Sequence, residues 1–142
     1  MKTFILAAAL LCAAVTNKTF ATDVNVTPAV MQTFKSAFRN AANVQWSVVD
    51  HLYKAVFEED GDAISAFFNA DGSLVASCRY LTMPDLSRAM QRTLKASAGS
   101  YAITEIFEVQ NDTDTDYYAT VKKGSEVRIL KAADNKWNVY KK

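Results

Sequence analysis

Three carboxylates two residues apart, Asp112, Asp114 and Asp116, are the nearest thing in this chain to a ligand set. Acidic side chains at this spacing supply the first three oxygen ligands of an EF-hand calcium loop. The rest of that loop is replaced. Tyr117 stands where the sharp turn needs glycine, and Lys123 where a bidentate glutamate closes the site. Turn geometry alone also calls for Asp and Asn, here and in the run Glu58-Glu59-Asp60-Gly61-Asp62. The triplet therefore stands as a weak hard-cation alternative. Nucleophilic chemistry would need Cys78 beside His51, the one histidine. Such pairs meet in space and not in sequence. The ordinary reading is a turn histidine and a small buried cysteine. A Gly-x-Ser-x-Gly elbow, a P-loop and a dinucleotide-binding fingerprint are all missing, and the four glycines fall at turn positions. We expect no catalytic residue, no cofactor and no enzymatic activity.

Recognition is better represented. Tyr117, Ala119 and Val121 alternate with Tyr118, Thr120 and Lys122. If the first set faces a core, Tyr118 faces away from it. With Val127 and Ile129 inward, Arg128 and Leu130 point outward; with Trp137 and Val139 inward, so does Tyr140. Thr104, Ile106 and Glu108 share this outer face in the same reading. Tyr118, Arg128, Leu130 and Tyr140 form the candidate partner-binding patch, because aromatic and Arg side chains dominate binding energies at interfaces. The competing reading is a sheet wet on one side with scattered apolar residues.

The elements that must position these residues read as helix, four strands, helix, four strands. Thr27 caps a helix that has Pro28 at its first position and runs to Ala41. Val30, Met31, Phe34, Ala37, Phe38 and Ala41 lie on one face of it. From Val44 the period changes to two: Val44, Trp46 and Val48 alternate with more polar neighbours, and strands Leu52–Glu59, Ala63–Phe68 and Ser73–Tyr80 follow across Asp-, Asn- and Gly-bearing turns. A second helix opens at Thr82-Met83-Pro84-Asp85, a capping-box pattern, and runs to Ala96. Strands at Tyr101–Gln110, Asp116–Lys122, Ser125–Ala132 and Lys136–Tyr140 complete the chain. The fold class is α+β: two tandem helix-plus-antiparallel-strand repeats, about 27–81 and 82–142, forming one sheet covered on one face by two helices. The prolines opening the helices are 56 residues apart. Trp46 and Trp137 are expected core anchors.

Residues 1–21 read as a signal peptide. Lys2 starts it, Phe4–Val15 is an apolar stretch too short to span a bilayer, and Thr19-Phe20-Ala21 ends it with small residues at the first and third positions. Cys12 offers a lipoprotein alternative, which Leu11 before it disfavours. Cleavage leaves one domain, 22–142, with Cys78 as its only cysteine and hence no internal disulfide. Losing Lys2 and Lys18 from 16 basic residues leaves 14 against 15 acidic ones. That near-neutral balance argues against a nucleic-acid partner, and no later stretch is apolar for long enough to hold the mature chain in a membrane. The protein is expected to be periplasmic or secreted.

Val30, Phe34, Phe38, Ala41, Val44 and Trp46, then Tyr53 with Phe57, and Phe67 with Asp71-Gly72, resemble the opening repeat of the PepSY-like secreted and periplasmic proteins. Met83-Pro84 followed by Leu86 resembles the Leu-Pro that opens the helix of their second repeat. The resemblance covers nearly all of the mature chain. It departs at Arg39, where proline is common, and at Ile103, nearest to where a second tryptophan would stand. It implies a fold similar to that of beta-lactamase-inhibitor protein. It also implies a non-catalytic binding module of the bacterial envelope, with inhibition as one form that role can take and an unidentified protein or peptide as partner.

The leader reading has a direct test. N-terminal sequencing of the secreted protein should begin at Thr22; a lipid-modified Cys12 as first residue would overturn it and anchor the protein to a membrane.

Overall fold

The computed structural model describes residues 24–142; the leader and its cleavage point lie outside them. Helix α1 spans Pro28–Ala37 and helix α2 Arg88–Ala98. The strands are β1 (Ala42–Val49), β2 (Leu52–Glu59), β3 (Asp62–Phe68), β4 (Leu74–Leu81), β5 (Ala102–Gln110), β6 (Thr115–Lys123), β7 (Glu126–Ala133) and β8 (Lys136–Lys141). They are hydrogen-bonded in chain order in one eight-stranded sheet. The pairings β1–β2, β2–β3, β3–β4, β6–β7 and β7–β8 are antiparallel. Among the described residues no helix is long and apolar enough to cross a membrane. The turns use the chemistry their types demand. Asp50 and His51, Asp60 and Gly61, and Asp134 and Asn135 all have positive φ, the conformation that matches the twist of two strands joined by two residues.

The chain divides into two compact units. The first holds residues 24–79 with Gln110–Asp114. Here Thr27 Oγ1 accepts the Val30 N–H and donates to the Ala70 carbonyl, tying the start of α1 to the β3–β4 turn. Val30 and Phe34 then enter a cluster with Ala55, Phe57, Ala66 and Phe68. Phe34 is its centre: its ring lies 5.1 Å from Trp46 and 5.1 Å from Phe57, both edge-on, and 5.7 Å from Phe38. The helix stops at Ala37, four residues short of the expected Ala41. Asn40 explains the stop: its N–H donates to Glu59 Oε1 and its amide to Asp60 Oδ1. The β2–β3 hairpin thus takes the backbone N–H that another helical turn would use internally and holds the side chain as well. Strand β1 starts two residues early, across an irregularity at Ala42–Gln45 where Asn43 has φ 55° and donates to Glu58.

The second unit holds Tyr80–Val109 and Thr115–Lys142. The expected helix start at Thr82 is a short 3-10 turn, Met83–Asp85, instead. The Asp85 carboxylate accepts both the Thr82 N–H, at 2.6 Å, and its hydroxyl, at 2.7 Å. Leu86 follows in an extended conformation that drops its side chain into the core. Only then does Ser87 cap α2 by accepting the Met90 N–H. The cluster beneath α2 joins Leu86, Leu94 and Ala98 to Ile106, Ala119, Val121, Leu130 and Trp137. Trp137 locks the helix down: its indole N–H donates to the Met90 carbonyl, and its own carbonyl accepts the Ser97 hydroxyl.

Two pairs of substitutions check this packing. Phe34→Ala should cost about 3–5 kcal/mol, as loss of a buried aromatic does, and more than Phe38→Ala, whose ring is only partly buried. Gly72 has φ +93°, and a Cβ there would lie 2.8 Å from the Ala29 backbone. Gly61 has a similar φ but nothing within 4 Å. Gly72→Ala should therefore destabilise more than Gly61→Ala in denaturant titrations, since only it must also push α1 off the hairpin.

Candidate functional site

Strands β6, β7 and β8 decide which side chains share a face. Directly paired residues project to the same side of a sheet. Ala119 pairs with Leu130 and Val121 with Arg128, while Leu130 pairs with Val139 and Ala132 with Trp137. This set includes the cluster under α2. The opposite set is Tyr118 with Lys131, Thr120 with Ile129, Lys122 with Val127, and Asn138 opposite Lys131. Tyr140 joins it, its ring 5.3 Å from Tyr118.

The expected patch is therefore corrected by half. Tyr118 and Tyr140 share the face away from α2. Leu130 does not: it is buried in the cluster under the helix. Arg128 lies on that helix side too. Its guanidinium sits 4.4 Å from the centroid of the Tyr101 ring and donates twice to Glu126. The inversion is a one-residue error of register in β7, which exchanges every side chain between faces. Ile106 likewise faces the helix cluster and not the outer set.

What replaces them is an aromatic ladder. Phe107 stacks on Tyr118 with centroids 5.5 Å apart and planes within 13°. Tyr80 lies 6.4 Å from Phe107 on its other side. Lys131 places its ammonium 5.5 Å from the Tyr118 centroid and pairs with Asp116 at 2.9 Å. Tyr118 and Phe107 are fully enclosed, while Tyr140 and Lys131 are partly exposed and Val127 is open. The patch thus has a buried aromatic floor and an accessible rim of mixed character. One hydroxyl on it, Thr120 Oγ1, is buried without a hydrogen-bond partner, while Tyr118 Oη has Lys131 beside it. A buried orphan of this kind costs about 1–3 kcal/mol, and a bound polar group that satisfied it would recover part of that.

The weak cation alternative fares worse. Asp116 is taken by Lys131. Asn111 organises the loop before it: its side-chain oxygen accepts the Thr113 and Asp114 N–H groups, which leaves Asp112 and Asp114 as exposed turn residues. Asp112 borders a groove of about 330 Å³ with Phe38, Leu74 and Ser77. Among the described residues no three His, Cys, Asp or Glu side chains converge as a metal site would require. The Cys78–His51 pair also dissolves. His51 is exposed in the β1–β2 turn, whereas Cys78 faces Ser65, which faces Val56. Five residues of strand and two strand spacings separate them, about 16 Å along the sheet and about 10 Å across. Cys78 is fully enclosed, as a small buried cysteine on a strand should be.

Solved structures from Bacteroides share this architecture. A BLIP-like protein from Bacteroides fragilis superposes with a TM-score of 0.70 at 16% identity, covering 84% of this chain and 90% of its own. A DUF2874 family protein from Bacteroides ovatus gives 0.73 at 18%, covering 84% and 87%. A candidate periplasmic protein from Bacteroides eggerthii gives 0.73 at 18%, covering 83% and 88%. No family model and no curated protein matches the chain. The chain has the BLIP-like fold.

The electrostatics of the patch can be read optically. Burial holds the Tyr118 hydroxyl above the usual tyrosine pKa, against the opposing charge of Lys131. Tyr101 is raised too, chiefly by its bond to the Glu126 carboxylate. In a spectrophotometric titration Tyr118 and Tyr101 should ionise late, and Tyr118→Phe should remove one late step. The folded chain holds the Tyr118 proton more tightly than the unfolded chain. Its contribution to stability is then complete below the unfolded value of about 10 and is lost as the pH rises through the folded value. Tyr118→Phe should flatten that alkaline loss.

Proposed function

We propose that this protein is a non-catalytic binding module of the bacterial periplasm or cell exterior, and that the face of β5–β8 turned away from α2 takes a protein or peptide. The observation that carries this reading is the Phe107–Tyr118–Tyr140 ladder with the Lys131 ammonium beside it. Enclosed aromatic anchors ringed by accessible polar groups are the usual make-up of a binding hot spot. The location rests on the leader and on the periplasmic description of a protein with the same fold. Membership of the PepSY-like family, and descent of the two units from one repeated helix-and-four-strand element, belong to the same proposal. They rest on the residues at matching positions and on the element order. An inhibitory role is the form that the resemblance to beta-lactamase-inhibitor protein suggests for such a complex.

The test uses residues 22–142 as bait in envelope extract. Any captured protein is then purified and titrated against the bait. Tyr140→Ala should weaken that titration by roughly 2 kcal/mol, about thirtyfold in Kd, with an unchanged melting temperature. Lys131→Met should weaken it as well, because it removes the cation beside the Tyr118 ring. Wild-type affinity in both variants would overturn the assignment of this face.

A further inference from the structure

The sheet ends in two edge strands, β1 and β8. An edge presents a row of backbone N–H and C=O groups to any chain that can lie along it. The two edges are not equally guarded. Strand β8 carries Lys136 and Lys141 at its ends, and charged side chains on an edge, lysine above all, discourage pairing. Strand β1 reads Ala-Asn-Val-Gln-Trp-Ser-Val-Val, with no charged residue, proline or glycine. Its Val48 is 55% exposed, more than Val139 on β8 or Val127 on β7.

The first half of β1 is bent out of pairing geometry by the irregularity between Ala42 and Gln45, where Asn43 has φ 55°. The second half is regular: Gln45, Trp46, Ser47, Val48 and Val49 stand opposite Val56, Ala55, Lys54, Tyr53 and Leu52 in turn. Among the described residues no strand pairs with its outer side. Helix α1 leaves that side clear. Phe34 packs on Trp46 of β1, Phe57 of β2 and Phe68 of β3, which centres the helix over β2. Asn40 draws the chain entering β1 toward Glu59 and Asp60, away from the edge.

The regular segment is centred on Ser47, and a two-fold axis there lays it antiparallel on itself. Ser47 then stands opposite Ser47 of a second copy, Trp46 opposite Val48, and Gln45 opposite Val49. Directly opposed residues must project to one face, and these do. Trp46 and Val48 lie on the α1 side, as their β2 partners Ala55 and Tyr53 do, while Gln45, Ser47 and Val49 lie on the other. The pairing sets an aromatic residue against a β-branched one twice, a favourable cross-strand combination, and it covers both copies of Val48. No like charges meet directly. We propose that β1 is a dimerisation edge whose occupant is the Gln45–Val49 segment of a second copy of this chain. Such a contact closes on itself, whereas β1 against β8 would leave a free edge at each end and propagate. The proposal rests on β1 alone and is independent of the face assigned to a partner above.

The test uses the chain expressed with its own leader and recovered from the periplasm. Sedimentation from about 1 μM to about 1 mM, the range of Kd expected of a small interface, should show a reversible monomer–dimer equilibrium. Val48→Glu sets a carboxylate against the Trp46 ring at both ends of the pairing and should weaken the dimer at least about tenfold. Its melting temperature at the lowest concentration should match wild type, because Val48 is exposed in the single chain. Val48→Ile should keep the dimer. Ser47→Cys reports the register: directly opposed Cα atoms are about 4.5–5.5 Å apart, within reach of a disulfide, so mild oxidation should cross-link it. Gln45→Cys should not cross-link, because its counterpart lies four residues further along the strand, about 13 Å away. A monomer at every concentration, wild-type dimer strength in Val48→Glu, or cross-linking of Gln45→Cys as readily as of Ser47→Cys would each overturn the proposal. So would open-ended polymers, which β1–β1 pairing cannot build.

Discussion

A helix laid on antiparallel strands takes every second residue and commits the others to the opposite face. In the first unit α1 claims Ala55, Phe57, Ala66 and Phe68, so Lys54, Val56, Ser65 and Phe67 have no choice of side. In the second, α2 claims Ala119, Val121, Leu130 and Trp137, and Tyr118, Thr120, Ile129 and Lys131 are sent the other way. What the helices leave behind is not a plain polar surface. It carries a buried lysine, a stacked aromatic pair and the orphaned hydroxyls of Ser65 and Thr120. Groups of that kind cost stability where they stand, and a fold selected for stability alone would replace them with valine or leucine.

Each helix is seated by one aromatic residue. Phe34 descends from α1 into a ring of four aromatic side chains. Trp137 rises from β8 to meet α2 and is held by hydrogen bonds at two points of the helix. The two solutions differ in chemistry. The first is dispersion and ring geometry, with no polar atom to satisfy. The second adds an indole donor that must find an acceptor when buried, and it finds one on the helix backbone. Strand alternation can present a recognition surface only because these anchors fix which side is covered.

Much of the architecture was legible from the chain. The element order, the positive-φ turns at Asp50-His51 and Asp60-Gly61, and the placement of Tyr118 and Tyr140 on one face follow from spacing and turn chemistry. Helix ends were less legible, because distant side chains set them: Asn40 is captured by Glu59 and Asp60, and Asp85 closes on Thr82 and delays α2 to Ser87.

The sequence by itself determined the class of fold, the number of elements and the alternation within most strands, because these depend on neighbours a few residues apart. Strand β7 marks the boundary. Val127, Ile129, Leu130 and Ala132 put apolar residues on both of its faces, so its period of two has no readable phase. Only the pairing of Ala119 with Leu130 chose between them, and that pairing moved Arg128 and Leu130 off the outer surface and set Ile129 and Lys131 there. The tertiary structure alone decided which polar atoms were left unsatisfied, because satisfaction depends on what stands opposite across the sheet and not on what precedes in the chain.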